Sequence, residues 1–424
     1  MIRRDRRPVH AMTRPSARSP SSCASSIAAT PVRRRRVHYF SGFDPRGASH
    51  YHRLFSQQGE RPQPGGGSIT TGARQRIGEL FHRWTVDWRP APATPAAAPD
   101  DAAVRTEHVF MGWDDIIRRH WSRQPLALLR EFAAVQVAMM RDVGLRRVHA
   151  LHPTALLTAL LPLLWLVATL LVGGFVIAAM SALPLTALGE TGLVAVATGV
   201  GLALTGMLLS LGAQAGLFWL MRIYHFILCM GRGQVAGMDE RVKEWVEHVI
   251  ERQSTDPVDE VVLAGHSVGT LVMVEAVDQL LRDPRWQALQ AGRRTAMLTL
   301  GQCYPGLALL PGAESFRHAL LRLSRHPDLV WLDVTARIDP MCFFSTAPLA
   351  GTELAEQAGP LPRRRAASFF QMYDPLHWAA IRRDKLQAHF LYLMTPDRPG
   401  NFDLFAMLYG PRRFEQQLVE TRRR

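Results

Sequence analysis

Two neighbouring stretches of this 424-residue chain contain no Asp, Glu, Lys or Arg. The first runs from Pro153 to Gly189 and the second from Thr191 to Met221, with Glu190 between them. Because a helix needs about 20 apolar residues to cross a bilayer, each stretch is long enough to span one. Buried core helices are the alternative, but soluble core helices rarely run so far without a charge. We therefore predict a transmembrane helical hairpin over residues 151–230.

Basic residues flank the two apolar stretches and are missing between them. They are Arg141, Arg146 and Arg147 before the first stretch, and Arg222, Arg232, Arg241 and Lys243 after the second. Since Lys and Arg concentrate on the cytoplasmic side of membrane proteins, both flanks are predicted to be cytoplasmic. The expected location is a bacterial inner membrane, with the two flanks on one side, where they can share one site.

The net charge of +14 raises the question of nucleic-acid binding. Residues 1–36 hold ten Arg and one acid, Asp5, and so carry +9 of that charge. This segment has few large apolar residues, cannot bury enough surface to fold alone, and is predicted to be disordered. Its composition is typical of a transit peptide, or of a chain start placed upstream of a true start near Val32. No nucleic-acid-binding motif follows it, so we predict no nucleic-acid partner.

Neither the cysteines nor the histidines form a recognisable metal or redox pattern. The four Cys lack zinc or redox spacing. His50 and His52 lie close together in sequence but have no obvious third ligand. We therefore predict no metal and no cofactor.

Strands and helices alternate on both sides of the apolar stretches. Candidate strands are Val37–Phe40, Arg83–Trp88 and Glu107–Met111 before them, and Val258–Ala264, Thr295–Leu300, Leu329–Thr335 and Ala367–Tyr373 after them. Val268–Leu281 and Ser315–Ser324 are typical of helices. Such alternation predicts an α/β fold with a mostly parallel sheet flanked by helices. Residues 37–150 and 231–424 are then two parts of one domain, interrupted by the hairpin.

The run Gly265-His266-Ser267-Val268-Gly269 stands between a predicted strand and a predicted helix. A Gly-x-Ser-x-Gly run alone is weakly specific, but a tight strand-to-helix turn is where hydrolases present a nucleophilic serine. The glycines leave room for the strained turn, and the helix N-terminus favours developing negative charge. The alternative is an ordinary Gly-rich turn, yet the context favours Ser267 as a nucleophile.

In these residues the chain resembles the α/β-hydrolase superfamily of serine esterases and lipases. The resemblance covers residues 37–55 and roughly residues 231–409, and it implies a Ser–acid–His triad in that chain order. For the acid it favours Asp339, which follows a predicted strand, over Asp333, which lies inside that strand. For the base it favours His389 of a His-x-x-Tyr pattern over His377.

The resemblance also implies two backbone donors for an oxyanion. One is the N–H of Val268, directly after the nucleophile. The other is the N–H of Phe43, in a loop similar to the family's His-Gly loop, with Ser41 in place of the His. A plain Gly/Pro turn is the alternative for this loop.

Together these features predict a membrane-anchored serine hydrolase that cleaves an acyl ester or thioester through an acyl-enzyme. A lipid substrate is suggested by the anchor alone. An acyltransferase using the same site, or a non-catalytic membrane scaffold on a hydrolase fold, are the alternatives.

Overall fold

A computed structural model describes residues 32–91, 103–183, 189–290 and 292–419. The strands are β1 (Arg34–Phe40), β2 (Ser68–Thr71), β3 (Gln75–Ile77), β4 (Phe81–Arg89), β5 (Val104–Met111), β6 (Glu260–His266), β7 (Thr295–Leu300), β8 (Leu329–Thr335) and β9 (Arg363–Ala366). The helices before Ser267 are α1 (Gly47–Gly59), α2 (Asp114–Arg119), α3 (Pro125–Ala138), α4 (Leu145–Leu151), α5 (Pro153–Ser181), α6 (Gly189–Gln214), α7 (Leu217–Gly231) and α8 (Met238–Thr255), with a π-helix at Met139–Val143.

The later helices are shorter, apart from two that flank the sheet. They are α9 (Gly269–Arg282), α10 (Pro284–Gln290), α11 (Tyr304–Ala308), α12 (Glu314–Arg325), α13 (Phe369–Met372), α14 (Pro375–Ile381), α15 (Lys385–Phe390), α16 (Leu404–Tyr409) and α17 (Gln416–Val419), with 3₁₀ turns at Ala355–Gln357 and Leu391–Leu393. The fold is therefore of the α/β class.

The strands of the described chain form one mixed sheet in the order β2-β4-β5-β1-β6-β7-β8-β9, with β3 paired to β4. From β5 to β9 every neighbouring pair is parallel, whereas β2, β3 and β5 pair antiparallel with β4. The loops after β1, β6 and β8 consequently leave the sheet at its carboxyl edge, where α/β proteins usually bind ligands.

A hydrophobic core lies on each face of the sheet. On one face, apolar side chains of α8, α9 and α12, such as Trp245, Leu271 and Phe316, are buried. On the other face, Tyr51 of α1 and Phe405 of α16 pack with the opposite side chains of the strands. Parallel strands covered on both faces are expected to be mostly apolar and buried, and all six residues of β7 are buried.

The structure confirms six of the predicted strands and both predicted helices to within a few residues. The seventh prediction, a strand over Ala367–Tyr373, is wrong. The last strand is β9, a short run of basic residues that ends at Ala366, and helix α13 begins at Phe369. An edge strand has only one neighbour and can be short and charged, so it lacked the apolar signal used for the other strands.

Helices α5 and α6 are long and apolar enough to cross a membrane, by length and composition. Only 17 % of the most apolar 18-residue window of each helix is buried, so their apolar side chains are largely exposed. The two helices approach closely at Gly173 and Gly201, where an added Cβ would lie 2.1 Å from Thr205 Oγ1 and 2.3 Å from Ile177 Cγ1 respectively. Small residues at such points let helix backbones come together. The predicted turn of the hairpin includes residues 184–188, which lie outside the described part.

The second apolar stretch is not one helix, which corrects the predicted hairpin boundary at residue 230. Helix α6 ends at Gln214, and Gly216 has a left-handed backbone conformation with φ +78°. Helix α7 then begins at Leu217 and is largely buried against the sheet domain. The uncharged stretch is longer than one span because it also includes the start of α7. The residues of α7 are apolar because they are buried in protein.

The predicted disordered segment also ends earlier than residue 36. Residues 1–31 lie outside the described part, but Arg34–Arg36 belong to β1, and Arg35 and Arg36 are buried. Glu260 pairs with Arg35 at 2.7 Å, and Glu107 pairs with Arg36. Because these carboxylates come from distant parts of the chain, the sequence near the arginines gave no sign that their charges are neutralised.

Candidate active site

Ser267 lies in the tight turn between β6 and α9. Its φ of +56° is positive, which is unusual for a residue other than glycine and costs conformational energy. The Ser267 N–H donates to Leu300 O at 2.9 Å, at the end of the neighbouring strand. This is the strained geometry in which a strand-to-helix turn presents a nucleophile.

Three glycines, Gly42, Gly265 and Gly269, allow neighbouring atoms to pack closely at this turn. A Cβ added to Gly269 would lie 2.4 Å from both Phe40 O and Ser41 O, and one added to Gly265 would lie 3.0 Å from Met273 Cε. At Gly42 an added Cβ would be 3.1 Å from Ser267 Cβ and 3.6 Å from Ser267 Oγ. The loop after β1 therefore packs directly on Ser267.

A histidine–aspartate pair lies beside this turn. His389, in the last turn of α15, donates from Nδ1 to Asp339 Oδ2 at 2.9 Å, and both side chains are almost fully buried. The Tyr392 hydroxyl donates to the same oxygen at 3.0 Å, and the Met341 N–H donates to Asp339 Oδ1 at 2.9 Å. These contacts fix the orientation of the Asp339 carboxylate and, through it, of the His389 ring.

The charge on Asp339 is favoured despite its burial. Burial alone raises the pKa of this carboxyl, but His389 and the hydrogen bonds from Met341 and Tyr392 hold the pKa below its usual value. The neighbouring His266 ring, in contrast, is held in its uncharged form. Burial and the proximity of His389 lower the pKa of His266 to about 3. His266 is therefore neutral, and its Nε2–H donates to His389 O at 2.9 Å.

The second ring nitrogen of His389 is available for proton transfer. Nε2 is buried and makes no hydrogen bond within the described residues, Ser267 Oγ included. The ring centroid of His389 lies 4.7 Å from that of His266, the residue before Ser267. A Cβ added to Gly301 would lie 3.4 Å from His389 Cε1 and 3.2 Å from Asp339 Oδ2. The His389 ring therefore lies close to the turn that carries Ser267, and hydrogen bonds of catalytic side chains often tighten only when substrate binds.

The two predicted oxyanion donors lie on segments that contact Ser267. Neither the Val268 N–H nor the Phe43 N–H donates a hydrogen bond to another described residue. The Phe43 ring packs against Trp121 and Phe226, and the Phe43 carbonyl accepts a hydrogen bond from Trp219 Nε1 at 2.8 Å. Helix α7, which carries Trp219 and Phe226, therefore holds the loop that brings Phe43 to the site.

The alternative residues lie outside this arrangement. Asp333 is buried within β8, where it accepts from Thr299 Oγ1 at 2.7 Å, and burial raises its pKa to about 7. His377 pairs instead with Asp397, at 2.8 Å and partly exposed to solvent. The structure thus places the His389–Asp339 pair beside the turn that carries Ser267, and it places Asp333 and His377 elsewhere.

Sequence reasoning did not assign roles to several residues that hold the site. The His-x-x-Tyr pattern was used to choose His389, but it did not identify Tyr392 as a partner of Asp339. Nothing in the sequence shows that the Thr158 hydroxyl of α5 lies 2.9 Å from the carbonyl of Pro340, next to the acid. Trp219 was counted as part of a membrane span. Contacts of this kind join segments far apart in the chain and have no local signal.

Within the described residues, no cluster of three or more His, Cys, Asp or Glu side chains has the arrangement of a metal site. Comparison with known proteins gives no further guide to the chemistry. No protein family, curated protein or solved structure matches the chain.

Proposed function

We propose that the protein is a membrane-anchored serine hydrolase of the α/β-hydrolase type that cleaves a carboxylic ester or thioester. The observation that carries the proposal is the buried His389–Asp339 pair beside a serine at positive φ. The order of strands supports it, because the loops carrying Phe43, Ser267 and Asp339 all leave the carboxyl edge of the parallel strands.

The acylation step uses the free nitrogen of His389. Nε2 takes the hydroxyl proton as Ser267 Oγ attacks the acyl carbonyl carbon, and Asp339 stabilises the imidazolium that forms. As the tetrahedral intermediate collapses, the C–O or C–S bond to the leaving group breaks, and Nε2 returns the proton to that group. Ser267 then carries the acyl group as an ester.

Negative charge on the carbonyl oxygen needs donors that are already in place. The N–H groups of Val268 and Phe43 have no other partner in the described chain and lie on the two segments that meet at Ser267. Donors of this kind typically contribute about 10²–10³-fold each to kcat. Water activated by His389 attacks the acyl-enzyme in the same manner, which releases the acid and restores Ser267.

The hairpin and the charges beside it support a cytoplasmic catalytic domain. Of the flanking basic residues, Arg241 pairs with Asp115, and Arg222 donates to Ser122 O, so both are held within the protein. Arg141, Arg146, Arg232 and Lys243 are exposed and remain as the positive flank. Their position on the domain side of α5 and α6 favours that side as cytoplasmic.

A fluorophosphonate probe tests the proposal on the full-length protein in detergent. Labelling is expected on the wild type and should vanish in Ser267→Ala. Ser345→Ala is the matched control, since Ser345 also has a positive φ, +55°, but lies on an exposed loop. A folded wild type that is not labelled, or equal labelling of Ser267→Ala, would contradict the proposal. For the location, a membrane-impermeant probe should label Ser267 only after cells are lysed.

A further inference from the structure

Ser267 lies at the inner end of an apolar cavity that extends toward the membrane helices. The cavity has a volume of about 120 Å³, and Ser267 is among the residues that line it. The wall opposite the sheet consists of α7, with Leu220, Ile223 and Ile227. Almost all the other lining side chains are apolar as well.

The outer part of the cavity is built by the segments that enter the membrane hairpin. Ala155 and Ala159 come from the first two turns of α5, and Met139 and Val143 come from the π-helix before it. Ala159 and Val143 are only partly buried, so this end is open to the surroundings. A π-helix is an uncommon widening of the helical backbone and is frequent at functional sites.

The surface around this mouth is also apolar. Leu126, Leu129, Val137 and Met140, on α3 and the π-helix, are exposed large hydrophobic residues. They add exposed apolar surface to that of α5 and α6. Exposed apolar surface of this kind fits contact with lipid better than contact with water.

We propose that this cavity receives the long acyl chain of a membrane lipid ester, which enters from the bilayer between the π-helix and α5. The inference rests on the proposed function, and it names the substrate class. The chain lies along the apolar walls, and its carbonyl carbon reaches Ser267 at the inner end.

Water is the co-reactant in the proposed hydrolysis of the lipid ester. Ser267 Oγ bonds to the acyl carbon, the ester C–O bond breaks, and the alcohol leaves with the proton returned by His389. Water then releases a free fatty acid. The fatty acid returns to the bilayer by the same opening, since the cavity offers it few polar partners.

Narrowing the cavity should shorten the preferred chain. We compare Ala159→Phe with Leu157→Phe, which adds the same ring to the same helix at a side chain that is 56 % exposed outside the cavity. Hydrolysis of p-nitrophenyl butyrate and p-nitrophenyl laurate is measured on full-length protein in the same mixed micelles. Because each buried methylene contributes about fourfold to binding, the laurate-to-butyrate ratio should fall at least tenfold in Ala159→Phe. The ratio should be unchanged in Leu157→Phe.

Fluorophosphonate labelling tests the serine nucleophile separately from the acyl-chain cavity. If Ala159→Phe is not labelled, the site itself is disturbed, and the ratio is taken from Val143→Phe at the opposite side of the mouth. A wild type that is labelled but prefers butyrate, or an unchanged ratio in both cavity variants, would overturn the acyl-chain assignment while the serine hydrolase stands. A wild type that is not labelled would overturn both.

Discussion

The described part of the chain contains two histidine–aspartate pairs with nearly the same hydrogen bond but different surroundings. In one, His389 Nδ1 lies 2.9 Å from Asp339, and the side chains are 2 % and 0 % exposed. In the other, His377 Nδ1 lies 2.8 Å from Asp397, and the side chains are 39 % and 17 % exposed. A short His–Asp contact therefore does not identify a catalytic pair.

The difference lies in what else each pair contacts. His377 and Asp397 lie near the surface, where Arg61 also pairs with Asp397. In contrast, the His389–Asp339 pair is excluded from water and adjoins the turn that carries Ser267. Exclusion of water strengthens the electrostatic support that Asp339 gives to a charged His389. A third aspartate, Asp333, is buried and bonds to Thr299 rather than to a histidine. Comparing Asp333 with Asp339 therefore separates the effect of burial from the effect of pairing with a histidine.

Replacing each histidine should give the largest contrast between the pairs. His389→Asn removes the proposed base and should lower kcat for a p-nitrophenyl ester by about 10⁴–10⁶-fold. His377→Asn, in a pair remote from Ser267, should change kcat by no more than about twofold. Steady-state kinetics on both purified variants provides the measurement. Equal losses in the two variants, or a larger loss in His377→Asn, would reverse the assignment of the base.

The sequence predicted the class of fold and the tight turn at Ser267 because both have local signals. Buried parallel strands such as Leu329–Thr335 are continuous apolar runs, and the glycines around Ser267 belong to one short turn. The choice between His377 and His389 had only the His-x-x-Tyr pattern as a local signal, because each histidine follows β9 beside aromatic residues. Which aspartate each histidine meets depends on contacts across 50 and 20 residues of chain.

The aspartates should give a smaller contrast in the same assay. Asp339→Asn keeps the shape of the side chain but removes the charge that orients His389 and stabilises its imidazolium. A loss of kcat of about 10⁴-fold is expected, as for the equivalent change in serine proteases. Asp397→Asn is the matched control and should retain activity within about twofold. Similar losses for both variants would mean that burial does not distinguish the pairs.

Asp333 provides the smallest and most specific effect, on stability rather than on kcat. Burial raises its pKa to about 7, whereas an unfolded Asp has a pKa of about 3.9. The unfolded chain therefore ionises first as pH rises, and the folded state loses stability between about pH 4 and pH 7. Each pH unit in this range costs about 1.4 kcal/mol.

Asp333→Asn removes this titration while keeping a polar side chain at the contact with Thr299. The free energy of unfolding of the variant, relative to wild type, should rise by about 2–3 kcal/mol between pH 5 and pH 8. Thermal or urea unfolding in the same detergent at both pH values measures this change.

Asp339→Asn is the opposing case. The pKa of Asp339 is lowered, so its charge stabilises the fold above about pH 4, and that stability is lost as pH falls further. From pH 5 to pH 8 the stability gap between wild type and Asp339→Asn should therefore stay nearly constant. A constant gap for Asp333→Asn as well would show that burial without a histidine partner does not hold Asp333 protonated.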